Sequence, residues 1–175
     1  MKPNDVPSFN EMLAGCRRSA VHLEMRDAYA IAPEAEEFAA WKRGDDGSRY
    51  DREGRRRGWL DTVREAVGRG VAIRRARIVS EPVSEYIRFE HAGTPLNIEA
   101  GESVCWLPRR QASDIALPGN DFWLFDEQAV RFNHFTGDGA SAGPEVTDDP
   151  AVARLCTSAF ETVWERGIPH SDFKV

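Results

Sequence analysis

The sequence lacks long apolar runs and has few cysteines. None of its 175 residues belongs to a run approaching the roughly 20 apolar residues that cross a bilayer. The start, Met1 to Glu11, has neither the basic residues nor the apolar centre of a secretory signal. Its three cysteines are far apart and match neither a disulfide framework nor zinc-ligand spacing. These absences predict a cytoplasmic protein with structural thiols, no metal and no membrane association.

Recognised catalytic motifs are also missing. The sequence contains no nucleophile elbow, no P-loop, no dinucleotide-binding glycine fingerprint, no H-E-x-x-H and no C-x-x-C. The four histidines show no metal spacing and have no carboxylate at a helical interval. We therefore predict no catalytic residues and no cofactor, and we favour a binding or regulatory role over catalysis.

The chain has the size and composition of a single domain covering residues 1–175. Hydrophobic residues make up 41% of it, and five Trp and nine Phe supply large apolar surfaces. The net charge of -6 argues against general affinity for nucleic acid. Residues 51–79 nevertheless carry nine arginines against four acidic residues. This basic segment indicates a local anionic contact, a self-complementary assembly such as a homodimer, or a solvated face.

Hydrophobic spacing predicts alternating helices and strands. Phe9 to Cys16 follow helical spacing and lead into a strand, Pro33 opens a second helix, and residues 44–57 read as a mobile polar loop. Trp59 to Val67 form a helical face that Gly70 ends. Val71 to Val79 is then an interior strand, apolar on both faces, with Arg75 and Arg77 on the same side.

The second half continues this pattern. A helix is expected to begin at Pro82 with Ser80 as its cap. A short strand, a hairpin of residues 121–125 and 129–135, a glycine-rich loop at 136–147 and a last helix follow. The predicted fold class is α/β: a single domain with a mixed sheet flanked by helices.

The strand-to-helix junction after residue 79 is the candidate binding site. In α/β folds ligands gather beyond the carboxyl ends of strands, near helix N-termini. Half-buried arginines need partners. The partner of Arg75 and Arg77 is either a ligand carboxylate or phosphate, or an internal acid, namely Glu90, Glu102 or Asp126. The candidate ligand-binding residues are Arg75, Arg77, Ser80, Glu81, Tyr86, Arg88, Glu90, Glu102 and Asp126. Asp126 also fits the role of a turn former, and the aromatic strand before it fits the core.

Several segments resemble an actinobacterial family known only as a domain of unknown function. They are S-A-V-H-L-E-M-R-D-A-Y (19–29), S-E-P-V-S-E-Y-I-R-F-E (80–90), G-E (101–102), W-L-P-R-R (106–110), D-F-W-L-F-D (121–126) and T-D-D-P-A-V (147–152). The resemblance covers nearly the whole chain. Members are commonly encoded beside helix-turn-helix regulators, which implies such a regulator as a protein partner.

The chain also resembles one half of a phospholipase D-like domain. Ala66, Arg69, Gly70 and Val71 match a helix ending A-x-x-R-G-V before a strand, and Asp126 and Glu127 match a later hairpin. The phosphodiester chemistry of that superfamily needs H-x-K-x-x-x-x-D, and no histidine here has a lysine two residues later. The resemblance therefore implies the fold without that reaction.

Three functions follow from these observations. The leading hypothesis is a non-enzymatic regulatory or ligand-binding domain that binds a small anionic ligand or acts with a DNA-binding regulator. The alternative is an enzyme acting on a phosphoester or nucleotide, with Glu81, Glu90 or Asp126 as general base. Direct DNA binding through Arg52 to Arg69 is the least favoured because the remainder of the chain is acidic.

Overall fold

The structure is a computed structural model that describes residues 6–30, 32–45 and 55–175. Within these ranges the chain forms five α-helices, one short 3-10 helix and seven strands. The helices are α1 (Phe9–Gly15), α2 (Ala32–Lys42), α3 (Arg55–Gly68), α4 (Glu85–Glu99) and α5 (Pro150–Arg166), with the 3-10 helix at Arg109–Ala112. The strands are β1 (Ser19–Glu24), β2 (Ala72–Val79), β3 (Glu102–Pro108), β4 (Asp121–Phe125), β5 (Ala129–Phe135), β6 (Ser141–Thr147) and β7 (Ile168–Pro169).

The strands form one mixed sheet in the order β6-β5-β4-β1-β2-β3-β7. The three central strands β1, β2 and β3 are parallel, and they are joined by crossovers that contain helices. The β4-β5-β6 meander adds antiparallel strands beyond β1, and β7 adds one beyond β3. The predicted fold class, an α/β domain with a mixed sheet flanked by helices, is confirmed. Strand β2 lies inside the sheet, as its apolar residues on both faces indicate.

Each face of the sheet packs against different helices. Helix α5 covers one face with Cys156, Phe160 and Val163, which belong to the same buried apolar cluster as Ala76 and Ile78 of β2. Helices α1 to α4 cover the other face in two separate apolar clusters, one around Ile73 and Trp123 and one around Val79 and Trp106. The alternation along β2 therefore places Arg75 and Arg77 between these two clusters, on the face opposite α5.

The helix after β2 begins later than the sequence predicts. Helix α4 starts at Glu85, and its cap is Ser84, whose hydroxyl accepts a hydrogen bond from the Ile87 N–H at 3.1 Å. Pro82 follows a cis peptide bond and lies outside the helix. The hydroxyl of Ser80 instead donates to Asp27. The expectation of a helix opening at Pro82 was wrong because Ser84 offers an equally good cap.

The glycine-rich segment after β5 is also different from the prediction. Residues 136–147, expected as a loop, contain β6, which pairs antiparallel with β5 from Val130 to Phe135. The pairing has an irregularity at His134 and Phe135. Pro144 is compatible with a strand here because β6 is an edge strand, where a missing N–H donor is tolerated. Most of the polar loop predicted at 44–57 lies outside the described residues, and α3 already begins at its residue 55.

The cysteines and the apolar character of the helices agree with what the composition indicates. Cys16, Cys105 and Cys156 are buried free thiols. Burial raises the pKa of the Cys105 thiol to about 12 and that of Cys156 to about 11. Among the helices in the described residues, none combines the length and apolar character needed to cross a membrane.

The tight turn between β4 and β5 depends on two residues with positive φ. Asp126 has a φ of 51° and Glu127 a φ of 60°. The carboxylate of Asp126 accepts hydrogen bonds from the backbone N–H groups of Arg17, Arg18 and Ser19 at 2.7 to 3.0 Å. Partial burial alone would raise the pKa of Asp126, but these hydrogen bonds lower it to about 2. Asp126 therefore fastens the turn to the start of β1.

We expect Glu127→Gly to stabilise the protein. Glu127 is exposed, so its side chain contributes little, and glycine adopts positive φ without the steric cost of a Cβ. The free energy of unfolding, measured in urea, should rise by about 0.5–1 kcal/mol. Its neighbour Gln128 is exposed but has no positive φ, so Gln128→Gly should lower the stability. Equal effects of the two substitutions would contradict this account.

Asp126→Asn should destabilise the protein in a pH-dependent way. The folded-state pKa of about 2 lies below the ordinary 3.8, so the charged carboxylate contributes stability above pH 3.8. That contribution is lost as the pH falls through about 2. We expect a loss of about 1–2 kcal/mol in the variant at neutral pH. Urea unfolding at pH 6 and pH 2.5 should show the difference between the two proteins shrinking in acid.

Candidate ligand-binding hollow

Polar and aromatic side chains from four adjacent strands, β5, β4, β1 and β2, lie together on the face covered by α1 to α4. His22 of β1 is paired in register with Arg75 of β2 on one side and with Trp123 of β4 on the other. Trp123 is in turn opposite Arg131 of β5. These four residues form one row across the sheet. The strands place them there because residues opposite each other in neighbouring strands point to the same face.

Arg75 is buried and makes two contacts with carboxylates. Its Nε donates to Glu102 Oε1 at 2.6 Å, and its Nη1 lies 3.2 Å from Glu24 Oε1. The second oxygen of Glu102 accepts a hydrogen bond from the Asn97 amide at 2.7 Å. Burial would lower the pKa of Arg75, but Glu102 and Glu24 outweigh it and raise the pKa. The positive charge of Arg75 is therefore compensated inside the fold.

Arg77, like Arg75, contacts two carboxylates. Its Nη2 donates to Glu90 Oε2 at 2.6 Å. Its Nε lies 2.9 Å from Glu24 Oε2, an ion pair whose angle does not make a directed hydrogen bond. Burial opposes the charge, yet Glu24 and Glu90 raise the pKa of Arg77. We call Arg75, Arg77, Glu24, Glu90 and Glu102 the arginine network. Glu24 joins its two arginines.

His22 lies beside this network and is neutral. Its ring stacks on Trp123 with centroids 4.3 Å apart and an interplanar angle of 15°. Burial, reinforced by Arg75 and Arg77, holds the pKa of His22 well below its usual range. Its Nδ1 is buried and has no hydrogen-bond partner in the described part of the chain, since the nearest carboxylate oxygen, on Glu24, is 3.8 Å away.

Two cavities adjoin this row of side chains, and together we call them the hollow. The tryptophan cavity has a volume of about 270 Å³, and the strand-edge cavity one of about 330 Å³. Both are lined by His22, Glu34, Arg75, Arg77 and Glu90. The tryptophan cavity adds Phe9, Trp59, Asn97 and Trp123. The strand-edge cavity adds Glu24, Tyr29, Tyr86, Asp121, Arg131, Asn133, Phe135, Ser141, Gly143 and Pro144. Ser141 and Pro144 are exposed, so the hollow opens at strand β6.

Arg131 differs from the other two arginines of the hollow. In the part of the chain that the structure describes, it forms no ion pair. Its Nη1 is buried and has no hydrogen-bond partner there. Partial burial lowers the pKa of Arg131, and no carboxylate opposes this effect. Arg131 therefore presents a guanidinium whose charge is not compensated within the described residues.

Asp121 and Tyr29 line the strand-edge cavity and bind each other. The Tyr29 hydroxyl donates to Asp121, and the Met25 N–H donates to the same carboxyl group at 2.9 Å. Burial raises the pKa of Asp121 to about 6 and also raises that of Tyr29 well above its usual range. The hydrogen bond from Tyr29 opposes the shift of Asp121. Both groups are thus held by the fold rather than presented to solvent.

The structure brings five of the nine candidate residues to the hollow. Arg75, Arg77, Tyr86 and Glu90 line it, and Glu102 lies beneath Arg75. The Tyr86 hydroxyl donates to Glu34 Oε2 at 2.6 Å, and burial raises its pKa. Of the internal partners named for the arginines, Glu90 and Glu102 are found and Asp126 is not, while Glu24, which contacts both arginines, was not expected.

The other four candidates lie elsewhere. Ser80 binds Asp27 and Arg109 in the loop beyond β2. Glu81 and Arg88 are exposed and do not line the hollow. Asp126 lies at the opposite end of β1, where it binds backbone N–H groups. The carboxylates of the enzyme alternative, Glu81, Glu90 and Asp126, are therefore not brought together. No group of three His, Cys, Asp or Glu side chains suited to a metal occurs among the described residues.

Sequence reasoning missed His22, Trp123 and Arg131 as members of the hollow. The sequence does contain a signal for Trp123 and Arg131. Alternation along β5 places Arg131 on the face opposite Val130 and Phe132, and the hairpin register pairs it with Trp123. The neighbourhood of His22 requires the pairing of β1 between β2 and β4, and no local pattern specifies it.

Three arginines of the basic segment are paired with acids of α3, and the side chains of Arg55 and Arg56 lie outside the described residues. Arg57 and Arg64 both contact Asp61, at 3.8 and 2.9 Å, and Arg69 contacts Glu65 at 3.2 Å. Arg52 lies outside the described residues. Exposed pairs at this spacing are typical of a solvated helix face.

Comparison with solved structures supports the fold. Nuc from Salmonella typhimurium, a phospholipase D family member, matches with a TM-score of 0.50 and 11% identity over 91% of this chain and 86% of that chain. The archaeal chromatin protein TrmBL2 matches with a TM-score of 0.47 and 16% identity, over 90% of this chain but 47% of its own. At these identities the first likeness concerns the fold alone, and the second is too distant to support a conclusion.

Sequence comparison is more specific about the family. No curated protein is similar enough in sequence to match the chain. A family model described as a domain of unknown function, DUF6879, matches residues 7–175. Because that match covers nearly the whole chain, the protein belongs to the DUF6879 family.

Proposed function

We propose that the protein is a non-enzymatic ligand-binding domain whose site is the hollow above β1, β2, β4 and β5. The observation that carries this proposal is that His22 and Arg131, which both line the hollow, each have a buried polar atom, Nδ1 and Nη1, without a hydrogen-bond partner in the described residues. Buried polar groups in folded proteins are almost always hydrogen-bonded. A polar ligand of low molecular weight would supply these bonds.

The size and lining of the hollow suit a small molecule. The strand-edge cavity, at about 330 Å³, lies at the lower end of the range of ligand sites, and the tryptophan cavity, at about 270 Å³, adds tryptophan rings to the polar walls. Arg75 and Arg77 each already have two carboxylate contacts. In this proposal the arginine network has a structural role beneath the site, and His22 and Arg131 bind the ligand.

A substitution that blocks the opening of the hollow at β6 tests the proposal. Ser141 is exposed on edge strand β6 and lines the hollow, so Ser141→Trp should obstruct it with little effect on the core. A panel of aromatic compounds of low molecular weight, with positive, neutral and negative members, would be screened by thermal shift and calorimetry. We expect at least one member to bind the parent protein at about millimolar affinity. Ser141→Trp should abolish that binding.

Ser158→Trp provides the matched control. Ser158 is exposed on α5, which covers the opposite face of the sheet, so this substitution adds the same ring far from the hollow. Binding should be retained in this variant. If no compound binds the parent protein, or if both tryptophan variants bind equally well, the hollow is not a ligand site.

A structural role of the arginine network makes a separate prediction. Arg77→Gln leaves the partly buried carboxylates of Glu24 and Glu90 without their common cation. Breaking a buried ion pair by removing one partner costs about 3–5 kcal/mol. The free energy of unfolding in urea should fall by that amount. Arg88→Gln, at an exposed arginine of α4, should change it by less than about 0.5 kcal/mol. A fully stable Arg77→Gln variant would show that the network is not structural.

The partner expected from the resemblance, a helix-turn-helix regulator, stays a prediction. It is compatible with this proposal because ligand occupancy of a domain is a common way to bias a partner's binding.

A further inference from the structure

We infer that Arg131 is the anchor for an anionic group, and that the ligand is a small aromatic anion. This inference rests on the proposed function, since it names the ligand class of the same hollow. It assigns the ligand's charge to β5, whereas the sequence alone favoured Arg75 and Arg77 on β2.

The position of Arg131 is suited to this role. It lines the strand-edge cavity beside Asn133 of the same strand, and the exposed rim of β6 lies close by. Its Nη1 is buried and has no hydrogen-bond partner within the described ranges. A guanidinium presents donors in a fixed fork that matches a carboxylate or phosphate. An anionic oxygen at this place would satisfy the buried donor and compensate the charge.

The other two arginines are less suited to bind the anion. Arg75 contacts Glu102 and Glu24, and Arg77 contacts Glu24 and Glu90, all within 3.2 Å. An anion approaching either guanidinium meets these carboxylates and is repelled. Among the three guanidiniums that line the hollow, Arg131 is the one without such a contact in the described residues.

The aromatic part of the ligand follows from the neighbours of Arg131. Its cross-strand partner is Trp123, which lines the tryptophan cavity together with Phe9 and Trp59. The three rings lie 4.9 to 5.7 Å apart, centroid to centroid. At these separations the rings contact one another and form a single aromatic wall of the tryptophan cavity, and a flat apolar body can pack against such a wall. A ligand bound by Arg131 at one end would therefore place an aromatic ring toward Trp123.

Asp121 also lines the strand-edge cavity, and its charge must be considered. Its carboxyl group already accepts hydrogen bonds from Tyr29 and from the Met25 N–H. These two hydrogen bonds stabilise the Asp121 carboxylate within the fold and reduce its repulsion of an anion bound at Arg131.

The test uses two probes of nearly equal size and shape, of which one is anionic and the other neutral. Binding of 2-naphthoate and of its neutral amide, 2-naphthamide, is measured by calorimetry on the full chain. We expect 2-naphthoate to bind the parent protein about tenfold or more tightly than the amide. Arg131→Gln should remove this preference, and Arg131→Lys should keep part of it. Arg154→Gln, which removes an equal charge from the exposed face of α5, should leave it intact.

Each outcome is decisive. Loss of the preference for 2-naphthoate in Arg131→Gln alone, with unfolding free energies unchanged, supports the assignment. Equal binding of acid and amide to the parent protein overturns the anionic ligand class but leaves the proposed function standing. A preference that survives in Arg131→Gln overturns Arg131 as the anchor. If neither probe nor any member of the earlier panel binds, the proposed function itself has failed.

Discussion

Arg75 and Arg77 lie on the interior strand β2, and both are buried on the face that α1 to α4 cover. A charge in such a place is tolerated only when it is paired and hydrogen-bonded. Glu24 on the neighbouring strand contacts both guanidiniums. Glu102 forms a second ion pair with Arg75, and Glu90 forms a second ion pair with Arg77. The network therefore ties together β1, β2, β3 and α4. It also separates the two apolar clusters on this face, because aliphatic side chains cannot replace the hydrogen bonds that buried charged groups need.

The hollow is a consequence of that separation. Where the charged side chains interrupt the packing, the helices do not close over the sheet, and His22, Trp123 and Arg131 border the remaining space. The opposite face has no such interruption in β1 and β4, where Val21, Leu23, Phe122 and Leu124 pack directly against α5. Because successive side chains of a strand point to opposite faces, the same strands form an apolar core on one face and a polar site on the other.

The likeness to a phospholipase D family member illustrates how little a shared fold says about chemistry. The chain lacks the H-x-K-x-x-x-x-D pattern on which that superfamily's reaction depends. What the two proteins share is the arrangement of sheet and helices, at 11% identity. Function must then be argued from the residues of the hollow, which belong to this chain and not to its structural neighbour.

Local patterns in the sequence determined the α/β class, the interior position of β2, the β4–β5 hairpin and the shared face of Arg75 and Arg77. These follow from side-chain periodicity and turn chemistry, which act over a few residues. The start of α4 was misplaced because two serines compete as its cap, and β6 was missed because glycine and proline hide an edge strand. Only the tertiary structure decided that Glu24 bridges both arginines and that Arg131 carries no carboxylate within the described residues. Those facts depend on the order of strands in the sheet, and residues more than 100 positions apart along the chain become neighbours only when that order is set.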